Sequence, residues 1–223
     1  MDEGYIKYCC NWVEKESVTC QDVAELTAYR NALYQLNFIG EYPNGIGFGN
    51  ISQRADAAVA ALPIFLITGT QTGHLSTLTA ADYALVTAFD PKQNMLSCQG
   101  LRKASSESLT HGVIYSSQPG VGAIIHVHSH ALWKKLLNQV PTTRAEVPYG
   151  TPEMAAEVER LFRDTPLVKQ QIFAMAGHEE GVVAFGDSLS TAYRVLINWC
   201  LMTAFMTQAE AAVALQLPYQ LAS

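Results

Sequence analysis

The chain has 223 residues, of which 49% are hydrophobic and 15% charged, and it carries a formal net charge of −6. Length and apolar content exclude a disordered chain and are ample for a buried core. The absence of a Lys/Arg cluster excludes an electrostatic footprint for nucleic acid. Five cysteines, Cys9, Cys10, Cys20, Cys98 and Cys200, are scattered without CxxC spacing, which argues against a disulfide framework and against thiolate zinc.

The start, Met-Asp-Glu-Gly-Tyr, lacks the basic and apolar regions of a signal peptide. No apolar run reaches the roughly 18 to 20 residues that span a bilayer. Asn50-Ile51-Ser52 fits the glycosylation pattern, but nothing else points to secretion, so a cytoplasmic protein with no membrane partner is expected. The low charge content also suggests surface buried between subunits.

Residues 21 to 37 have helical apolar spacing, with Asp22 placed to cap the start. A glycine-rich turn, Tyr42 to Asn50, leads into Ile51-Ser52, and Ala61 to Thr68 reads as a buried strand. Tyr83–Phe89 and Asn94–Cys98 read as two strands joined by an Asp90-Pro91 turn. A helix is expected over Glu107–Ser117, capped by Ser105 or Ser106. A strand follows over Gly122–Ser129, then helices over Ala131–Asn138 and Pro152–Phe162. Strands at Gln171–Ala176 and Gly181–Phe185 precede a long helix, capped by Asp187 and running to about Leu215. No repeat or linker divides the chain, so one mixed α/β domain over 1–223 is expected, with its core at about 20–215.

The segment Ala-Ile-Ile-His126-Val-His128-Ser-His130 is the most telling. In a strand, alternate side chains share a face, so its imidazoles project together. Two of them can meet one ion, and Gly177-His178, some fifty residues on, supplies a distant third. Neutral imidazole suits zinc and similar divalent cations, and a catalytic site keeps a position open for water or substrate. Three loops surround this motif in sequence. Gly45/Gly47/Gly49 follows a helix rather than a strand and lacks the acidic residue of a dinucleotide fold, so it reads as a turn that lets backbone amides and Asn50 approach an anion. Thr68-Gly-Thr70-Gln-Thr72-Gly73 and Lys103-Ala-Ser105-Ser106-Glu107 add hydroxyls, the latter before a helix start that attracts anions. Glu107, beside a metal and a hydroxyl loop, is a candidate general acid/base.

Gly49-Asn50-Ile51-Ser52, Ile67-Thr68…Thr72-Gly73, Ser105-Ser106-Glu107, Ile125-His126-Val127-His128-Ser129, Gly150-Thr151-Pro152-Glu153 and Gly177-His178…Gly181-Val-Val-Ala-Phe-Gly186 occur in this order. Over about residues 20 to 210 this set resembles the class II aldolase/adducin family, including its fuculose-phosphate aldolases and ribulose-phosphate 4-epimerases. The resemblance implies a three-layer α/β/α fold around a mostly antiparallel central sheet, assembled as a homotetramer. It implies His126, His128 and His178 as ligands of Zn2+ or another divalent cation such as Mn2+ or Co2+, with His130 outside the set. Glu107 is implied as acid/base, and Asn50, Thr72, Gly73, Ser105 and Ser106 resemble the phosphate-binding residues. The implied activity is a lyase that cleaves a small hydroxy-ketone, a sugar phosphate, through a metal-stabilised enediolate. Epimerisation or dehydration on the same site, and a non-catalytic adducin-like binding domain, are the alternatives.

This sequence departs from the family pattern in three places. Thr70-Gln71 reads as an insertion, leaving Thr70 and Thr72 as alternatives for one role. Glu179-Glu180 stands inserted where the pattern runs His-Gly directly. The tyrosine that aldolases lend to a neighbour has no evident match: counting back from Gly150-Thr151 reaches Glu146, not Tyr149, and Tyr219 is a candidate only for a tail tyrosine.

Overall fold

The computed structural model describes residues 6–55 and 63–221. Its centre is an eight-stranded sheet in the order β1-β7-β6-β5-β4-β8-β10-β9. The strands are β1 (Cys9–Val13), β4 (Asn50–Arg54), β5 (Phe65–Thr68), β6 (Tyr83–Asp90), β7 (Met95–Gln99), β8 (Ala123–His128), β9 (Ile172–Ala174) and β10 (Gly181–Gly186). Every neighbouring pair is antiparallel except β1 with β7. A small hairpin, β2 (Gly40–Glu41) with β3 (Gly47–Phe48), holds the glycine-rich turn.

Helices cover both faces. On one side α1 (Cys20–Gln35), α3 (His130–Leu136), α6 (Leu189–Met202) and α7 (Gln208–Leu221) pack with Ile51, Ile125, Val127, Val182 and Ala184. On the other, α2 (Ser108–Ser117), α4 (Pro152–Asp164) and the short α5 (Leu167–Gln170) pack with Phe65, Ile67, Ile124, Phe173 and Val183. The expected three-layer α/β/α arrangement around a mostly antiparallel sheet is what the chain forms. Strand β8 is buried along its whole length, which is why its apolar residues run on without the alternation of a half-exposed strand.

Several local expectations need correcting, each for a hydrogen-bonding reason. Thr19, not Asp22, caps α1. Its hydroxyl accepts from the Asp22 amide, and the Asp22 carboxylate accepts back from Thr19 N–H, a reciprocal capping box. Glu107 occupies the cap position of α2, while the Ser105 carbonyl accepts from both the amide and the hydroxyl of Ser108 and so builds the turn before it. Ser188, rather than Asp187, caps α6 by accepting from the Thr191 amide. The expected single C-terminal helix is two: α6 stops where Ala204 takes a left-handed φ of 51°, and Thr207 with Glu210 opens α7 by a second reciprocal cap. Ser129 caps α3, so the helix takes in His130 and the histidine strand ends at His128. Strand β1 was not anticipated. Ala61 and Leu62 of the expected Ala61–Thr68 strand lie outside the described residues, and the strand itself begins at Phe65. Asn50, of the glycosylation pattern, is buried in β4.

Helix α4 is tied to the segment before it by Glu157, which is only 3% exposed. Its carboxylate accepts from the Arg144 amide at 2.9 Å and from Arg160 Nε and Nη2 at 2.9 and 2.6 Å. The Arg160 hydrogen bonds, against the opposing effect of burial, hold this carboxyl below its ordinary 4.5. A depressed folded-state value means that the stabilisation is complete above the unfolded value and is lost as pH falls through the folded one. Glu157→Gln is therefore expected to cost about 1–3 kcal/mol at pH 7 and much less at pH 3, measured by urea unfolding. Equal losses at the two pH values would show that the charge is not the source.

Candidate metal centre and anion cleft

His126 and His128 leave β8 on the face shared with Ile124, one step beyond the α2/α4 layer. His178 comes from the tight turn between β9 and β10, closed by Gly181 N–H donating to the His178 carbonyl at 2.9 Å. The three rings stand with centroids 4.8, 5.3 and 4.8 Å apart, and one nitrogen from each lies within 4.8 Å of the others. All three are at most 5% exposed. Burial, reinforced by the neighbouring imidazoles, holds His126 and His128 far below the ordinary histidine range, so both are neutral, the form that binds cations.

Each ring is held by a different element. The Asn50 carboxamide nitrogen lies 3.1 Å from His126 Nδ1, a contact set by the register that pairs Asn50 with His126 across β4 and β8. Tyr42, entering from the β2–β3 hairpin, stands 3.0 Å from His128 Nδ1 and donates its hydroxyl proton to Glu180 at 2.7 Å. Tyr149 stacks on His178 with centroids 4.2 Å apart. Opposite His128, across β8 and β10, stands Gly181. A Cβ there would come within 3.3 Å of His126 Nε2 and 3.4 Å of the His178 ring.

These histidines form the floor of a cleft whose walls include Asn50, Thr72, Gly73, Ser105, Ser106 and Glu107. The structure thus brings together the three histidines, Glu107 and the five expected anion-loop residues from five separate stretches of chain. Thr70 also lines the cleft, but Thr72 is the buried member of the pair, and its hydroxyl donates to the Gly69 carbonyl at 2.9 Å. His130 is outside: half-exposed, it faces Glu179 at 3.4 Å and stacks on Trp133.

A family model described as "Class II Aldolase and Adducin N-terminal domain" matches residues 42–206, a span holding all of these side chains. The chain belongs to that family. Among solved structures it is similar to YgbL from Klebsiella pneumoniae, with a TM-score of 0.58 and 20% identity over 89% of this chain and 100% of that one. A sugar-phosphate aldolase from Thermotoga maritima gives 0.55 and 20%, over 88% and 93%. L-fuculose-1-phosphate aldolase from Thermus thermophilus gives 0.53 and 20%, over 86% and 91%. At these identities the likeness is one of fold.

Within this class II aldolase fold, sequence reasoning missed four side chains that shape the site. Arg30 of α1 is fully buried and donates to the carbonyls of Leu75, Thr72 and Gly73. Tyr8 donates to the Ala104 carbonyl at 2.8 Å and steadies the serine loop. Tyr42 and Tyr149 complete the set. Aromatic and basic residues in helices and loops carry no spacing signal of their own. Tyr42, at the mouth of the glycine-rich turn, is the one whose position offered a clue.

The close approach at Gly181 yields a test. Gly181→Ala is expected to push His126 and His178 apart and to cost about 1–3 kcal/mol in urea unfolding, the usual range for overpacking. A loss under about 0.3 kcal/mol, far below that range, would show that the turn gives way freely.

Proposed function

We propose that the protein is a divalent-metal-dependent lyase of the aldolase type, acting on a small hydroxy-ketone that carries a phosphate group. The observation that carries this reading is the convergence of three buried imidazoles at the floor of a cleft walled by hydroxyl loops and a buried carboxylate. The donor set fits a metal. His126 Nε2 is sealed from solvent and makes no hydrogen bond, an arrangement a ligand would satisfy. His126, His128 and His178 would hold the ion, and nitrogen ligands of this kind favour Zn2+, with Mn2+ or Co2+ as substitutes. Bound there, it supplies Lewis-acid polarisation of the substrate's carbonyl and hydroxyl oxygens.

The remaining work falls to the chain itself. Thr72, Gly73, Ser105 and Ser106, with Asn50 beside them, bind the anionic end of the substrate and fix its distance from the histidines. Glu107, only 2% exposed, is oriented by Thr110, whose hydroxyl donates to Oε2 at 2.8 Å. In this reading it moves the proton at the nucleophilic carbon of the ketone fragment, in a site from which burial excludes bulk water. Epimerisation or dehydration of a sugar phosphate would use the same anion loops and the same buried carboxylate, so these are sister reactions. A purely structural, adducin-like role gives no reason to bury three histidines and Glu107 together.

Two measurements test this reading. Metal-replete protein is screened against phosphorylated hydroxy-ketones for aldehyde release that a chelator abolishes. No release from any of them, with metal shown to be bound, counts against a lyase. Glu107→Gln keeps the shape of the side chain but cannot shuttle a proton. It is expected to lower turnover by about 10²–10⁴-fold with a far smaller change in substrate affinity. Exchange of the ketone-fragment proton in deuterated water, followed by NMR, isolates the step; a wild-type exchange rate in the variant would remove Glu107 from the mechanism.

The same reading includes assembly as a homotetramer, supported by the apolar side chains that α6 and α7 leave exposed, Met202 and Val213 among them. Sedimentation equilibrium is expected to give four chains per particle; a monomer at micromolar concentration overturns it.

A further inference from the structure

The pair Glu179-Glu180 interrupts the step where the family pattern places His next to Gly. Its second member bears on the centre in a way the metal ligands alone do not explain. Glu180 adopts a left-handed φ of 73°, which a side chain rarely takes without compensation, and its carbonyl accepts from the Ser129 amide at 3.1 Å. That conformation carries its carboxylate to Tyr42, 138 residues away in sequence, at 2.7 Å. Tyr42 is confined in turn: its ring packs on Phe48 with centroids 4.6 Å apart, and Phe48 also lies against His128 at 5.7 Å.

The direction of the hydrogen bonds is fixed by counting protons. A phenol has one proton, and here it goes to the carboxylate oxygen, which only accepts. Towards His128 Nδ1, 3.0 Å away, the Tyr42 oxygen is left as an acceptor, so Nδ1 must bear the hydrogen. A neutral imidazole protonated at Nδ1 carries its lone pair on Nε2. With Nδ1 bearing the hydrogen, Nε2 carries the lone pair that an ion would take.

We propose that Tyr42 and Glu180 form a hydrogen-bonded relay that locks His128 in the Nδ1–H tautomer and thereby raises the metal affinity of the centre. Tyr42 is a positioning residue; it acts through His128 and need not touch substrate. The inference rests on the metal reading above for its consequence, but the tautomer itself is a property of the metal-free chain. Glu180, the second of the two residues between His178 and Gly181, anchors the relay. Outer partners of ligating histidines typically change metal affinity by about 10–100-fold when removed.

The experiment compares wild type, Tyr42→Phe, Glu180→Ala and the double variant, each stripped with a chelator. Zn2+ affinity is measured by competition with a chromophoric chelator. The His128 tautomer is read from long-range ¹H–¹⁵N spectra of the metal-free proteins, and folding is checked by thermal unfolding. The relay predicts Nδ1–H at His128 in wild type and a shift towards the other tautomer in Tyr42→Phe. It also predicts Zn2+ binding weakened by about 10–100-fold and a double variant no worse than Tyr42→Phe alone, because the two residues act in series. Glu180→Ala leaves the tyrosine ring packed and tests the relay from its far end should Tyr42→Phe fold poorly. Zn2+ affinity within twofold of wild type in both single variants, or an unchanged tautomer, overturns the proposal. If wild type binds no divalent ion, the metal reading falls while the tautomer measurement still decides the relay.

Discussion

Two imidazoles stand side by side near the middle of the sheet, His126 and His128 at 2% and 3% exposure. Taking such groups out of water without partners costs about 1–3 kcal/mol apiece, and placing them 4.8 Å apart disfavours a charge on either. That cost constrains the elements around β8. Strand β4 must pair in the register that sets Asn50 opposite His126, and β10 in the register that sets Gly181, with no side chain, opposite His128. The β2–β3 hairpin must close over the strand to deliver Tyr42. A one-residue slip in either pairing would turn the histidines onto the wrong neighbours, so the register is specified by polar contacts as well as by the two apolar cores.

This arrangement explains where the cleft lies. Along β8 the apolar residue of one face, Ile124, supports the α2/α4 layer, and the next residues on that face are the histidines. The helical layer therefore stops where the imidazoles begin, leaving an opening bounded by the start of α2 with Glu107, the Thr72-Gly73 loop and the turn that carries His178. The segment holding Tyr149 packs closely on that turn, since a Cβ at Gly177 would lie 1.9 Å from the Val147 carbonyl. Rigid strands position the candidate ligands, and loops anchored by buried side chains supply the wall, a division of labour common in α/β sites.

What could be read in the sequence was what depends on spacing within one segment. The alternation of His126 and His128, the serine pair before Glu107, and the β6–β7 hairpin are local patterns, and each stands close to where it was expected. What could not be read depends on partners distant in the chain or on single hydrogen bonds. Strand β1 exists because Cys9–Val13 finds β7, some 86 residues later. The division of the C-terminal helix was written as Thr207-x-x-Glu210, but an apolar run on both sides hid it. Caps moved by one to three residues because neighbouring Thr, Ser and Asp residues all offer an acceptor, and only backbone geometry chooses among them. Arg30 looked like an ordinary helix residue, and Tyr42 and Tyr149 stood near the motifs without a spacing that marked them, until folding placed all three at the centre.

Arg30 shows how the distant part of the fold bears on binding. Among the described residues no lysine or arginine lines the cleft, so an anion bound there would have no salt bridge to a lining side chain. The guanidinium sits behind the Thr72-Gly73 loop, buried and bonded to its carbonyls. Because a trans peptide is planar, a carbonyl turned towards Arg30 sends the following N–H the opposite way. Arg30 therefore orients the dipoles of the loop and adds a positive charge behind them, screened less by water than a surface cation would be. Its desolvation is offset in part by the three carbonyls it satisfies through Nη1 and Nη2. The Thr72-Gly73 loop is thus held in shape from the first helix, through a residue that is itself withdrawn from solvent.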